Sequence, residues 1–507
     1  MAREVKLQAL HRVVSDLVEW MPEAHMTPAL AKLEPHEIWK YFDAIGKIPR
    51  GSGNEAAARE YVLAQAARLG LESAVDAAGN TVVRKPARSG REQGECAALQ
   101  GHLDMVCVKN QNVAHDFTRD PIPVYRDGDW VKARGTTLGA DNGIGVAAAL
   151  AVMESTDIAH GPLEFVFTID EETGLTGAGN FARGVLHAKY LLNLDNEEQD
   201  TLCIGCAGGL NTNAYSSVTR RPPRYAAALR IQVTGLLGGH SGVDIHRGRG
   251  NAILILARIL QTLREQVDFE LAGLNGGAMR NVIPRDASAT VLIDPANERK
   301  LRAAIESAAR DIGNELGSAD PGLDVLVEPA DKPHDALAPQ DAARIVDLLV
   351  AVPNGVVSMS PEIAGLVQTS TNVGTIAIEN GRVSIATLQR SAIDSARFAA
   401  GRAVQTALRL AGFEIENAGG YPGWKPEPES DIVHKAKAAH EAALGKPARL
   451  IAMHAGLECG VIGEKYPGMQ MIAFGPEIVG AHSPDERVDI PSVAAFWTFL
   501  KELLARL

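Results

Sequence analysis

A chain of 507 residues, 46% hydrophobic and 22% charged, has the make-up of a globular protein of about two to four domains and can bury a substantial core without staples. Its formal net charge of -12 argues against a nucleic-acid or anionic-membrane partner, because no long Lys/Arg block offsets it. The cysteines Cys96, Cys107, Cys203, Cys206 and Cys459 are too sparse for a disulfide framework, and the CxxC pair Cys203/Cys206, without a second pair or an adjacent His, reads as two small buried residues.

The opening stretch "MAREVKLQALHRVVSDLVEWM" mixes charge into every turn and has no signal-peptide core, and no apolar run approaches bilayer length, so a cytoplasmic address is expected. "PHEIWKYFDAIGKI" and "NEAAAREYVLAQAARLGLE" carry apolar residues at helical spacing. The short apolar runs "NTVVRKP", "CAALQGHLD", "LEFVFTID" and "YLLNLD" follow, with the small-residue helix "NGIGVAAALAVMES" among them. Strands alternating with helices predict an α/β fold, a mostly parallel sheet flanked by helices. Such sheets gather their chemistry beyond the carboxyl ends of the strands. There "CAALQ" runs into "GHLD", "LEFVFTI" into "DEE" and "YLLNL" into "DNE", bringing His102, Asp104, Glu171, Glu172 and Asp195 to one edge.

The middle third reads differently. "AALRIQVTGLLGGHSG", "ASATVLID" and "RVSIATLQRS" alternate like half-exposed strands, separated by the helices "NAILILARILQTLREQ" and "RKLRAAIESAARDIGNEL". This pattern predicts an α+β domain with an antiparallel sheet. From "GGYPGWKPEPESD", a junction rich in Pro and Gly, the chain returns to alternating helix and strand. The simplest organisation is a first domain over residues 1–209 and 421–507, interrupted by an inserted domain over 210–420.

Each polar candidate has an ordinary account when taken singly. His102 and Asp104 could be loop residues, Asp141 in "GTTLGADNGIG" a helix cap, Asp195 a turn former and His482 in "GAHSPDE" a surface histidine. Together they form a mixed nitrogen and oxygen set that suits Zn²⁺, Mn²⁺ or Co²⁺ better than Ca²⁺. Five candidates (His102, Asp141, Glu172, Asp195 and His482) exceed what one catalytic zinc takes from protein. Two ions sharing one carboxylate, about 3.5–4 Å apart as in two-metal hydrolases, would use them all.

The segments "GHLDMV", "GTTLGADNGIG", "DEETGLTGA", "NLDNEE", "GGHSGVDIHRGRGNA", "MRNVIPR" and "GAHSPDE" closely resemble those of aminoacyl-histidine dipeptidases, within the superfamily of di-zinc aminopeptidases, carboxypeptidases and aminoacylases. The resemblance runs from about "PHEIWKYFDAIGKIP" to the C-terminus. It implies hydrolysis of Xaa-His, including β-Ala-His, and of other unblocked dipeptides; tripeptides or N-acyl amino acids are the alternative substrates. It also implies two divalent metal ions, zinc foremost and Mn or Co as alternatives. His102 and Asp195 would ligate one ion and Glu172 and His482 the other, with Asp141 bridging and the Asp141–Asn142 peptide cis. Glu171 would be the general base and Asp104 the acid orienting His102. The inserted domain would be an enlarged ferredoxin-like lid whose His240 donates to the oxyanion, with Asn281, Arg390 and backbone at Gly456 as substrate contacts. His454 and Glu458 would stay off the metals. Smaller-lid relatives dimerise to supply the lid histidine; a lid enlarged as here can complete the site within one chain, so a homodimer is allowed but not required.

Overall fold

The computed structural model describes residues 26–507; the charged opening stretch lies outside the described residues. Two compact units are present. The first runs from the start of the described residues to Gly205 and includes Pro426–Ala452 and Leu457–Leu507; the second is Cys206–Lys425 with Met453–Gly456.

The first unit is built on an eight-stranded sheet. In spatial order the strands are Glu72–Val75, Thr81–Lys85, Leu163–Thr168, Ala97–His102, Tyr190–Asn193, Gln470–Ala473, Thr201–Cys206 and Arg449–Met453. The centre, from Leu163–Thr168 across to Gln470–Ala473, is parallel. The pairings that flank it, Thr81–Lys85 on one side and Thr201–Cys206 on the other, are antiparallel. Strands covered on both faces bury every side chain, which is why "AALQGH", "LEFVFT" and "YLLN" read as near-continuous runs; all three are buried throughout.

Register then fixes the active edge. His102 pairs with Thr168 and Gln100 with Asn193, so two of the strands end level and the third two residues short of them. Asp104, Asp170–Glu172 and Asp195 follow within two to four residues of those ends. Helix Ala140–Glu154 packs against helix His36–Gly46 and strand Ala97–His102, and its run of Ala and Gly residues is almost wholly buried. The closing helix Ile490–Leu504 starts with Pro491 in its first turn and Asp489 as its cap, accepting from the Ser492 N–H at 2.8 Å.

The second unit carries a nine-stranded sheet whose central hairpins, such as Val367–Glu379 with Arg382–Ser391, are antiparallel. Helix Ala252–Gln266 lays Ile253, Leu256, Leu260 and Leu263 into its core beside Leu271, Val291 and Leu301. That spacing is the helical apolar stripe seen in the sequence. Asn251 caps the helix, accepting from the N–H groups of Ile253 and Leu254 at 3.1 and 3.4 Å. Leu256 is fully buried, so Leu256→Ala should cost about 2–5 kcal/mol, measured as a lowered urea midpoint of the second unit's transition.

Candidate metal centre

His102 ends a buried strand and is 1% exposed. Its Nε2 lies 3.0 Å from Asp141 Oδ1 and 3.4 Å from Asp195 Oδ1. On the other side of Asp141, His482 Nε2 lies 3.1 Å from Oδ2 and 2.9 Å from Glu172 Oε2. Two three-residue groups, His102/Asp141/Asp195 and Asp141/Glu172/His482, therefore share Asp141, each facing its own carboxylate oxygen. Glu171 joins from a third direction, with ligand atoms of His102, Glu171 and Glu172 all within 4.8 Å of one another. The Asp141–Asn142 peptide is cis.

The electrostatics follow from this crowding. Burial first, then the carboxylates of Asp195, Glu458 and Glu172, pushes the Glu171 carboxyl well above the usual range, against the lowering pull of His102. Burial likewise raises Asp195 to about 6, although His102 pulls it down. His482 is pushed up to about 11 by its hydrogen bonds to Asp141 and Glu172. His102 rises because its carboxylate partners outweigh the cost of its burial. Each imidazole–carboxylate pair needs a positive charge between nitrogen and oxygen, supplied by a proton or by a cation.

These residues fit a pair of divalent ions. Both groups combine one imidazole with two carboxylate oxygens, the mixed set that Zn²⁺, Mn²⁺ and Co²⁺ accept. Among the described residues, Glu172 Oε1 is buried without a hydrogen-bond partner, an acceptor that a cation would satisfy.

Asp104 organises the rim behind the cluster. Its Oδ1 lies 3.3 Å from His102 Nδ1 and accepts from the Glu171 N–H at 3.1 Å. Its Oδ2 accepts from the Glu172 N–H at 3.2 Å and from Ser52 Oγ at 2.8 Å. Burial would raise this carboxyl, but the bonds from His102, Ser52 and Glu171 outweigh it and hold Asp104 at about 2. One carboxylate thus orients an imidazole and pins the backbone of the paired glutamates.

The remaining candidates belong to the second unit and form a cluster of their own. His240 sits in a two-residue strand, Gly239–His240, paired with Val282–Ile283 next to Asn281. The buried Arg390 donates to Tyr421 Oη at 2.7 Å and meets His240 Nε2 at 3.1 Å. Burial and then Arg390 lower His240 to about 4, so its ring is neutral near pH 7. The Val243 N–H points at His240 Nδ1 from 3.2 Å. A neutral imidazole can accept at only one nitrogen, yet both face N–H donors, so this cluster is one acceptor short. An anion would complete it. Gly456 has a packing reason for being glycine: a Cβ there would come within 2.7 Å of the Tyr421 ring.

Tyr421 escaped the sequence reading because it lies in "GGYPGWKPEPESD", which reads as a junction. A second omission is a buried polar chain under the sheet edge. Glu458 Oε2 accepts from Gln100 Nε2 at 2.5 Å and Thr168 Oγ1 at 2.7 Å, and Asn193 Nδ2 donates to Gln100 Oε1 at 2.6 Å. Gln100, Thr168 and Asn193 lie on the three strands that deliver the candidates. The available signal was polar residues inside runs otherwise apolar enough for full burial. His454 lies in the second unit with Nε2 2.7 Å from Ser370 Oγ.

The chain matches the model of Peptidase family M20/M25/M40 over residues 98–506. It is 40% identical over 476 residues to the cytosol non-specific dipeptidase of Escherichia coli (strain K12), covering 94% of this chain and 98% of that protein. Among solved structures, the aminoacylhistidine dipeptidase from Vibrio alginolyticus matches with a TM-score of 0.86 at 42% identity, over 96% of this chain and 99% of that one. The aminopeptidase PepT from Bacillus cereus shares the fold, with a TM-score of 0.55 at 16% identity over 94% of this chain and 99% of its own.

Burial foremost, with Arg390 and His240 adding to it, lowers the His454 ring from 6.5 to about 3. Between those values the unfolded ring takes up a proton that the folded ring refuses, so stability falls as pH drops through the window. His454→Gln should lose less stability on acidification from pH 6.5 to 3, the difference reaching up to about 1.4 kcal/mol per pH unit, read from urea unfolding at a series of pH values.

Proposed function

Because the chain belongs to peptidase family M20/M25/M40, we propose that it is a metal-dependent dipeptidase that hydrolyses unblocked dipeptides, Xaa-His and β-Ala-His among them, in the cytosol. The observation that carries this reading is the pair of three-residue groups sharing Asp141 through its two oxygens. In this reading His102, Asp141 and Asp195 hold one divalent ion and Asp141, Glu172 and His482 the other, with zinc the expected metal. When bound, the ions supply Lewis acidity, which brings the pKa of a water to about 7 and polarises the peptide carbonyl.

The chain's own groups do the rest. Glu171, whose carboxylate stands beside the ligand atoms of His102 and Glu172, takes the proton from the attacking water and passes it to the departing amine. Asp104 keeps His102 in one orientation and fixes the backbone from which Glu171 and Glu172 project. In the second unit, the same reading gives Arg390 the free carboxylate of the substrate, the acceptor its cluster lacks. It gives neutral His240 the role of donor to the oxyanion, and Asn281 and the Gly456 backbone further substrate contacts.

β-Ala-His, a second unblocked dipeptide, a tripeptide and an N-acetyl amino acid, assayed side by side with zinc present, test the substrate class. Cleavage of both dipeptides is expected; turnover of the acylated compound alone would overturn the proposal. Glu171→Ala should lower kcat by about 10²–10⁴-fold while metal analysis still finds the wild-type content. Wild-type turnover in that variant would remove Glu171 as the base.

A further inference from the structure

Glu486 stands four residues beyond His482 and is only 2% exposed. Its Oε2 accepts from the backbone N–H groups of Leu138 and Gly139 at 2.7 and 3.0 Å. Its Oε1 accepts from those of Ala140 and Asp141 at 2.7 and 3.3 Å. These successive donors lead into helix Ala140–Glu154, where helix geometry leaves N–H groups without partners.

A buried cation grips the same loop from its carbonyl side. Arg50, 2% exposed, donates from Nη2 to Gly139 O at 2.5 Å and from Nη1 to Leu103 O and Asp104 O at 3.1 and 2.8 Å. The fit is tight: Gly139 has φ +70, and a Cβ there would lie 2.6 Å from Arg50 Nη2. The loop carrying Asp141 is therefore held between Glu486, on the His482 segment, and Arg50, which also binds the backbone just past His102.

The two metal groups depend on this clamp unequally. His102 closes a fully buried strand and has Asp104 behind it. His482 has no strand under it: it is 55% exposed, with φ +63, in a turn closed by Ser483 Oγ to Gly480 O at 2.7 Å and by the Glu486 N–H to Ser483 O at 3.1 Å. Past that turn, strand Arg487–Asp489 pairs with Trp130–Ala133, so besides His482 itself, which faces Asp141, Glu486 ties the turn to the backbone of the Asp141 loop.

We propose that Glu486 is a positioning residue that assembles the Asp141/Glu172/His482 group by locking the His482 turn to the loop bearing the shared Asp141. The inference rests on the two-metal reading above. Replacing the carboxylate with an amide leaves one oxygen and adds an NH₂ group, so one of the two N–H pairs on the loop loses its acceptor whichever way the amide turns.

The test uses the full chain, stripped of metal and titrated with zinc alone against a competing chelator, for wild type, Glu486→Gln and Glu486→Asp. Wild type should bind two equivalents. In Glu486→Gln the weaker equivalent should lose about 10- to 100-fold in affinity, the range for an outer partner of a ligand, while the tighter one keeps its wild-type affinity. Glu486→Asp, which keeps both oxygens, should recover part of the loss, and His482→Ala should reproduce the selective loss. Equal weakening of both equivalents, or none, would overturn the clamp. A wild-type chain binding fewer than two ions would instead remove the two-metal reading, and the clamp with it. Thermal melting of each metal-free variant separates the effect from unfolding: a selective loss with the Tm held supports the proposal, and a loss that scales with Tm across both equivalents counts against it.

Discussion

Charge crowding at one edge of the first unit's sheet is the constraint on which the rest of this structure turns. Asp141, Glu172 and Asp195 come together around His102 and His482 with nitrogen–oxygen separations of 2.9–3.4 Å, and Glu171 lies within 4.8 Å of His102 and Glu172. Carboxylates at that density repel one another unless positive charge lies among them, and burial amplifies the cost. A cluster of this kind persists only where the scaffold imposes it and a cation or proton compensates it. Both conditions shape the surrounding residues.

The scaffold imposes it through register. A slip of one residue would swing Gln100, Thr168 and Asn193 to the opposite face and break their buried hydrogen bonds, so His102, the Asp170–Glu172 turn and Asp195 leave the sheet at fixed heights. Beneath them, the Glu458–Gln100–Thr168–Asn193 chain ties the same three strands together with buried hydrogen bonds. Above them, Asp104 accepts the N–H groups of both paired glutamates. Hydrogen bonds between polar groups at such depth specify one arrangement.

The second unit meets a different demand. Its Arg390, Tyr421 and His240 make a cluster with more donors than acceptors, whereas the first unit's centre has more acceptors than donors. The glycines that line these places reflect space: Gly456 yields room to Tyr421, and Gly139 to Arg50.

The sequence by itself determined the α/β character of the first unit, the strand ends that carry His102, Glu171, Glu172 and Asp195, and the antiparallel nature of the insertion. These are matters of local periodicity and of polarity changing at the end of an apolar run, and both are written in consecutive residues. Tertiary structure alone decided which oxygen of Asp141 faces which imidazole, that Asp104 serves two glutamate N–H groups as well as His102, and that Glu486 and Arg50 grip one loop from opposite sides. Tyr421, and the partners of Glu458, were unreadable for the same reason: the groups that meet lie tens to hundreds of residues apart along the chain. A hydrogen bond depends on two atoms within about 3 Å and on their angle, and no pattern along one segment encodes what another segment brings to it.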